Sequence, residues 1–406
     1  MQLLGILAFV VALLFSVMVH EFGHFITARH FGMRVSEFFL GFGTKIWSTV
    51  RGETEFGIKA IPAGGYCRIE GMSPTEGLMG NERDFYRAKG SRKLIVLGAG
   101  SFLHFVLGFV LLLILFMGIG TGQVTSTINQ ISPCVPSAKA NQACTASSPK
   151  SPAKLAGLLA GDKIISINGK RITNWATDVE VIRKSAGVPL VFGIDRGSAT
   201  VKNSDLSGSP DLEITITPQA RIVNGKTVGF IGIINKYALV RNDPMTAVKR
   251  STSTTDTFIA SSFKSLISLP SKVPELWSQT VGGKARDPEG LVGVVGVARV
   301  SGEAMGNAKL SVSERVATFI LIIAYLNFFV GIFNLLPLLP LDGGHMAVAI
   351  ADEIRAFIAR LRGRPRPRAI DVAVLTPITM VVFVLLVGLT LLLLVADIVN
   401  PITANL

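Results

Sequence analysis

Near the start of the chain, His20-Glu21-Phe22-Gly23-His24 places two histidines four residues apart with a glutamate beside the first. At about 100° per residue, a helix sets both imidazoles on one face, where they can hold one zinc ion. Glu21 then stands next to the ion, placed to take a proton from water. This H-E-x-x-H spacing suits metal-assisted hydrolysis of a peptide bond. The competing reading is two helix-end histidines at a membrane surface. The setting favours chemistry, because three costly polar groups sit where an apolar helix is still running.

A catalytic zinc needs a third protein ligand and an open position. Residues 334–345 read Asn-Leu-Leu-Pro-Leu-Leu-Pro-Leu-Asp-Gly-Gly-His, and Asp342 is the carboxylate of that helix region. Pro337 and Pro340 remove backbone donors and break helix geometry, which lets the chain turn and aim Asp342 inward. Asn334 can hydrogen-bond a substrate or a developing oxyanion. The bland alternative is a proline kink followed by a helix terminus, with Asp342 in cytoplasmic water. His345 could be a ligand or support one, the Gly343-Gly344 turn leaving its direction open. His104 reads as a packed polar residue or a distant supporting donor.

The elements that must position these residues are membrane helices. The chain has 406 residues, of which 49% are hydrophobic and only 17% charged, against roughly a quarter charged in soluble domains. Disorder, collagen and a disulfide scaffold are excluded by the apolar content, the lack of a glycine period and the three cysteines. Residues 1–19, 94–120, 316–341 and 372–396 contain no Asp, Glu, Lys or Arg. About 20 apolar residues suffice to cross a bilayer, so four spans are expected. The first lacks a basic leader and a convincing cleavage site, and is read as a retained helix.

Basic residues orient the spans. The 29–93 connection holds 11 Lys and Arg, and 351–371 holds six Arg, whereas 121–315 holds 23 spread over 195 residues. The short connections are therefore expected in the cytoplasm, with both termini and the long segment outside the cell's inner (plasma) membrane. The net charge of +13 is read as a topology signal and an attraction to anionic lipid, not as a nucleic-acid site. Cys134 and Cys144, in the outer segment, can form a disulfide, while Cys67 on the cytoplasmic side should stay a thiol.

Taken in order, His20-Glu21-x-x-His24, Gly41-Phe42-Gly43, the Ile61-Pro62-x-Gly64-Gly65-Tyr66 run and Asn334-x-x-Pro337-x-x-x-x-Asp342-Gly343 resemble the site-2 protease family of intramembrane zinc metalloproteases. The run through His345 and the region from Arg286-Asp287-Pro288 to Gly296 look closest to the actinobacterial, regulator-of-sigma type. The resemblance implies that His20, His24 and Asp342 bind zinc, that Glu21 is the general base and that Asn334 holds substrate or the tetrahedral intermediate. One departure stands out. The family's second span usually carries Ala-Gly-Pro followed by Asn, whereas this chain reads Ala99-Gly100-Ser101-Phe102-Leu103-His104, which puts the role of that Asn in doubt.

Hydrolysis needs an extended backbone, yet a membrane helix satisfies its own hydrogen bonds. Residues 54–61, a turn at 62–65 and residues 66–70 read as a membrane-reentrant β-hairpin. An exposed edge of it could add the unwound substrate as a strand. Ile58, Gly64 and Gly65 there, with Asn334 and Pro337, are the candidate substrate contacts. Residues 38–42 could join the same layer.

In the outer segment, residues 151–158 suggest a short helix and 160–170 a strand ended by an Asn-Gly turn. Residues 179–185 suggest a helix, and 189–195 and 213–217 strands. Together these resemble one circularly permuted PDZ domain, which in the family restricts entry of substrates with large outer domains. Pro270, Pro274, Trp277 and Gly282-Gly283 are expected to break any long helix after it, leaving 258–267 to lie on the outer surface.

The expected fold is thus a polytopic α-helical membrane protein with four transmembrane helices, a cytoplasmic reentrant hairpin and one extracytoplasmic PDZ domain. Its segments are 1–28 (first span), 29–93 (loop with hairpin), 94–120 (second span), 121–220 (PDZ), 221–315 (linker with amphipathic helices), 316–345 (third span), 346–371 (Arg-rich loop), 372–396 (fourth span) and 397–406 (tail). The expected partners are the bilayer and a single-pass membrane protein already trimmed by another protease, such as a tethered anti-sigma factor or a signal-peptide remnant. A PDZ-bearing scaffold or pseudoprotease is the rival. Zinc transport lacks a second intramembrane carboxylate–histidine site to support it.

Overall fold

A computed structural model describes residues 1–72, 81–135, 144, 148–197, 210–223, 226–287 and 290–402. Pro288, the 198–209 part of the expected PDZ segment and residues 403–406 of the tail lie outside the described residues. The chain divides into two compact units, Thr121–Val240 and the remainder, Met1–Gly120 with Arg241–Leu406.

In the larger unit, α1 (Gln2–His30) leads into β1 (Val35–Arg51) and β2 (Thr54–Ile69), then α2 (Gly90–Leu113), which continues as a short π-helical stretch to Ile119. Four helices are long and apolar enough to cross a membrane, and three of them, α1, α2 and α8 (below), pack on one another with α2 in the middle.

The β1–β2 hairpin turns at Gly52-Glu53, not at 62–65 as the sequence suggested. Both strands are so long that they bend and double back. Phe38 lies opposite both Cys67 and Phe56, Phe39 opposite Tyr66 and Gly57, and Leu40 opposite Gly65 and Ile58. Ile58 in turn faces Trp47. Residues 37–40 and 55–58 are therefore interior segments, and 65–69 and 47–51 are the edges. The register of 37–40 against 55–58 rises in step, a parallel contact inside a hairpin that is antiparallel overall.

The smaller unit contains β3 (Thr121–Ile131), α3 (Pro152–Leu155), β4 (Lys163–Ile167), β5 (Lys170–Arg171), α4 (Trp175–Asp178), α5 (Glu180–Lys184), β6 (Leu190–Asp195), β7 (Leu212–Ile216), β8 (Gln219–Val223), β9 (Lys226–Phe230) and β10 (Ile233–Val240). Its main sheet runs β10-β3-β4-β6-β7, with β5 on β4. Asn168 and Gly169 both have positive φ, as a two-residue hairpin turn requires, and they join β4 to β5. The buried core includes Ile128, Ile164, Trp175, Phe192, Ile194 and Ile216. Cys134 and Cys144 are disulfide-bonded, and Cys67 is a free thiol. The unit reaches Val240, so the end of β8 and the strands β9 and β10 belong to it, whereas the sequence reading gave the chain from 221 onward to a linker.

Beyond it come α6 (Pro244–Thr280), α7 (Val294–Gly306), α8 (Val312–Asn334), α9 (Asp342–Leu361) and α10 (Thr376–Val399). Four expectations are corrected here. Pro270 and Pro274 sit inside α6 without ending it. The third span stops at Asn334, not 345, because Pro337 and Pro340 cannot continue the backbone ladder, and the Arg-rich segment expected as a loop is helical to Leu361. Finally, α10 runs past 396 to Val399, where Asp397 accepts bonds from the Gly293 and Gly296 N–H groups and pairs with Arg286 at 3.1 Å.

In the smaller unit, burial would raise the Asp162 carboxyl. The paired bonds from Arg196, at 2.8 Å each, and the Leu159 N–H outweigh it and hold the group below its usual value. A depressed native value means that the stabilisation is complete above the unfolded-state pKa of about 4 and fades as pH falls below it. With Trp47 and Trp277 replaced by Phe so that buried Trp175 reports, the melting midpoint of this unit should fall on acidification below pH ~4. Asp162→Asn should cost about 1.5–3 kcal/mol at neutral pH and flatten that decline.

Candidate active site

His20 and His24 belong to one face of α1 and are both buried, at 6% and 8% exposure. Asp342 opens α9. Its Oδ2 lies 3.1 Å from His20 Nε2 and 3.3 Å from His24 Nε2, and the two Nε2 atoms are 3.1 Å apart. Among the described residues this is the group whose ligand atoms converge to hold a metal ion.

Asp342 reaches that point because of the residues around it. The link from α8 to α9 folds tightly under the start of α9. A Cβ on Gly343 would lie 2.3 Å from the Leu335 carbonyl carbon and oxygen, and one on Gly344 2.5 Å from Leu339 N. Only glycines permit that approach, so Gly343-Gly344 is the first turn of a helix laid on the link, not a free turn. His345 is not in the converging group.

His24 is held from behind, since its Nδ1–H donates to the Val96 carbonyl at 2.8 Å. That fixes the proton on Nδ1 and leaves Nε2 as a lone pair toward His20 and Asp342. Gly100 of α2 makes room for the cluster. A Cβ there would be 2.6 Å from both His20 Cε1 and His24 Nε2. Two imidazoles with Nε2 inward, one carboxylate oxygen and a cradle that a methyl group would fill form a donor set that fits zinc with a position left open.

Glu21 lines two cavities that share Asp342. The larger, of 580 Å³, is walled by His24, Tyr66, Cys67, Arg68 and Ile69 among others, so the 65–69 edge faces it. The backbone N–H of Cys67 is directed at the Glu21 carboxylate, and a Cβ on Gly65 would come 2.7 Å from Met18 Sδ and 3.7 Å from Glu21 Cγ. The smaller, of 210 Å³, is lined by His20, His104, Asn334, Pro340 and Leu341.

The candidates from the sequence therefore separate. His20, Glu21, His24, Asp342, Asn334 and Gly65 come together. Pro337 lies in the link and lines neither cavity, Gly64 packs near Phe42, and Ile58 sits between Leu40 and Trp47 rather than on an edge. Sequence reasoning missed Gly100 and the Val96 carbonyl. The run of small residues at 98–101 inside a bulky span was the available signal for Gly100.

The profile of peptidase family M50 matches residues 8–386, spanning every element that builds this cluster. The chain belongs to that family. It is 35% identical, over 98% of both chains, to zinc metalloprotease Rip1 of Mycobacterium tuberculosis, and 34% identical at the same coverage to the protein of that name in Mycolicibacterium smegmatis. This M50 member is thus a multi-pass membrane metalloprotease, and its cluster of His20, His24 and Asp342 lies where α1 meets the α8–α9 junction.

Because Gly100 is on a helix backbone that cannot swing aside, Gly100→Ala should push the imidazoles off their corner. A displacement near 1 Å can cost about 100-fold in rate. Proteolysis and zinc retention after dialysis should both fall, with the melting midpoint little changed.

Proposed function

We propose that this M50 peptidase is an intramembrane zinc endopeptidase that cuts the transmembrane segment of a single-pass protein already shortened by another protease. The observation that carries the reading is the convergence of His20, His24 and Asp342 beside Glu21, with one apolar span, α1, supplying two of the three ligands. Zinc in that corner supplies a Lewis acid that polarises the scissile carbonyl and acidifies the attacking water. Glu21 takes the proton that water loses and returns one to the leaving amine. Asn334, at the mouth of the smaller cavity, donates its amide N–H to the carbonyl oxygen as charge builds on it.

The substrate backbone has to be unwound and held. Residues 65–69 form a sheet edge that walls the larger cavity next to Glu21 and are suited to take an extended chain as an added strand. Such an edge supports a reentrant hairpin, since unpaired backbone groups in lipid are tolerated only where they line a cavity. Gly65 belongs to this edge. Ile58, flanked on both sides, is assigned to the sheet interior.

The basic residues of 29–93 and of the α9 end support a cytoplasmic position for the hairpin, with the termini and the smaller unit outside. That unit is read as a PDZ domain. Its support is an edge strand, β10, whose Ile233 shares a 420 Å³ groove with Trp175, Val179, Ile182 and Arg183 of the α4–α5 region and Phe230 of β9. A groove of this form takes an extended chain terminus, which suits selection of trimmed proteins. The substrate is then a membrane-tethered regulator of anti-sigma type or a signal-peptide remnant.

The test uses the purified full chain in detergent with a single-pass model substrate. Chelation should abolish cleavage and zinc restore it, and Glu21→Gln should lower the rate by about 10²–10⁴-fold while zinc stays bound. Full proteolysis by Glu21→Gln would remove the general base from this account. A chain that binds the substrate but never cuts it would return the scaffold reading.

A further inference from the structure

Two buried nitrogens beside the metal corner have no hydrogen-bond partner: His20 Nδ1 and His104 Nε2. The two rings are 5.0 Å apart, tilted by 40°. Their protons can be assigned by working inward from α8. Asn327, fully buried, donates from Nδ2 to the Ile323 carbonyl at 2.8 Å. Its Oδ1 is then the atom 2.8 Å from His104 Nδ1, and an amide oxygen only accepts. His104 therefore carries its proton on Nδ1, which leaves Nε2 a bare acceptor in the neutral ring.

His20 has the opposite pattern. Its Nε2 faces Asp342 and His24, so as a ligand it presents a lone pair there and keeps its proton on Nδ1. That Nδ1 edge looks toward α2, where a Cβ at Gly100 would stand 2.7 Å from it. His104 is four residues further along α2, on the same face. An unmatched donor and an unmatched acceptor are thus neighbours.

We infer that His104 is a positioning residue for the metal ligand His20, its Nε2 accepting the His20 Nδ1 proton either directly after a small ring rotation or through one water. A chain of hydrogen bonds then runs from the Ile323 carbonyl through Asn327 and His104 to His20. Ligating histidines in general donate their second ring N–H to a fixed acceptor. His24 uses the Val96 carbonyl, and His104 gives His20 the same support. His104 is not itself a ligand, since its atoms lie outside the converging group. The inference rests on the metal-site reading above.

Gln and Met have nearly the same shape, but only Gln can donate to Asn327 and accept from His20. In chelator-competition titrations of the full chain with Zn²⁺ and Co²⁺, His104→Met should lose about 10–100-fold in metal affinity and alter the Co²⁺ visible spectrum. His104→Gln should recover most of that loss. Asn327→Leu should weaken binding as well, and combined with His104→Met it should add little, since both cut one chain. Ser101→Ala, which removes another buried hydroxyl of α2, should bind metal as the parent does. With five histidines in the chain, ¹⁵N-imidazole spectra of the unsubstituted protein can also show the His104 proton on Nδ1.

Unchanged affinity in His104→Met, an equal loss in His104→Gln or Ser101→Ala, or a proton on His104 Nε2 would overturn the inference while leaving the metal site intact. A parent chain that takes up neither metal would overturn the site reading and this inference with it.

Discussion

Two imidazoles and a carboxylate have to meet at one point among apolar helices, and much of the larger unit serves that meeting. An unpaired carboxylate in such surroundings costs several kcal/mol, so Asp342 is stable only where opposing groups offset its burial. The histidines come cheaply, since one helical turn aligns them. Asp342 comes from a distant part of the chain and needs more: an apolar helix that stops at Asn334, a link that prolines keep from being helical, and two glycines that let the next helix begin almost on top of that link. The same economy governs α2, which contributes no ligand. It offers a carbonyl to His24 and an absent side chain at Gly100.

A second constraint is set by the substrate's own backbone. A helix in lipid gives up its internal hydrogen bonds only where replacements wait. The doubled-back hairpin ties up residues 37–40 and 55–58 on both sides and leaves the 65–69 edge beside Glu21, which on the proposed function is where such replacements are offered. The glycine at 65 lets that edge approach α1 closely, as its missing Cβ would strike Met18. On that reading, rigidity and the binding of an extended chain belong to one piece of structure, with the edge held in register by an interior strand that has no free hydrogen-bonding side.

Much of this was legible in the sequence, for identifiable reasons. His20, Glu21 and His24 were readable because four-residue spacing on a helix is local geometry, and Asp342 because a carboxylate at the end of an apolar window has few other uses. The hairpin was only half legible. Local patterning marked a turn at 62–65, but nothing short-range tells a strand that it will bend and pair twice, and the real reversal falls at Gly52-Glu53. Pro270 and Pro274 misled because the rest of a 37-residue helix outweighed two lost donors. The 346–371 segment misled only in its first part, where α9 runs through Arg355 and Arg360 to Leu361; Arg362, Arg364, Arg366 and Arg368 lie beyond the helix, as a loop reading expects. His104 was noticed as a departure but not placed, since its meaning depends on Asn327, more than two hundred residues later.

The contrast between α10 and the central helices shows what polar contacts do where lipid removes the hydrophobic drive for helices to associate. The apolar stretch of α10 has no residue buried within the protein, and its main helix contacts are with α6 and α7. Its C-terminal end, in contrast, is fastened by Asp397, which accepts from two backbone N–H groups and from Arg286, both charged side chains being almost wholly buried. Gly293 and Gly296 admit that carboxylate just as Gly100 admits the imidazoles, for a Cβ on either would press against it. An acid among apolar helices, polar groups converging on it and nearby glycines thus occur twice in the fold, half-buried at Asp342 and fully buried at Asp397. At Asp397 the carboxylate oxygens are satisfied by protein N–H groups and fasten a helix. At Asp342 one oxygen meets the inward Nε2 atoms of His20 and His24, which on the proposed function are ligands that a bound cation draws together.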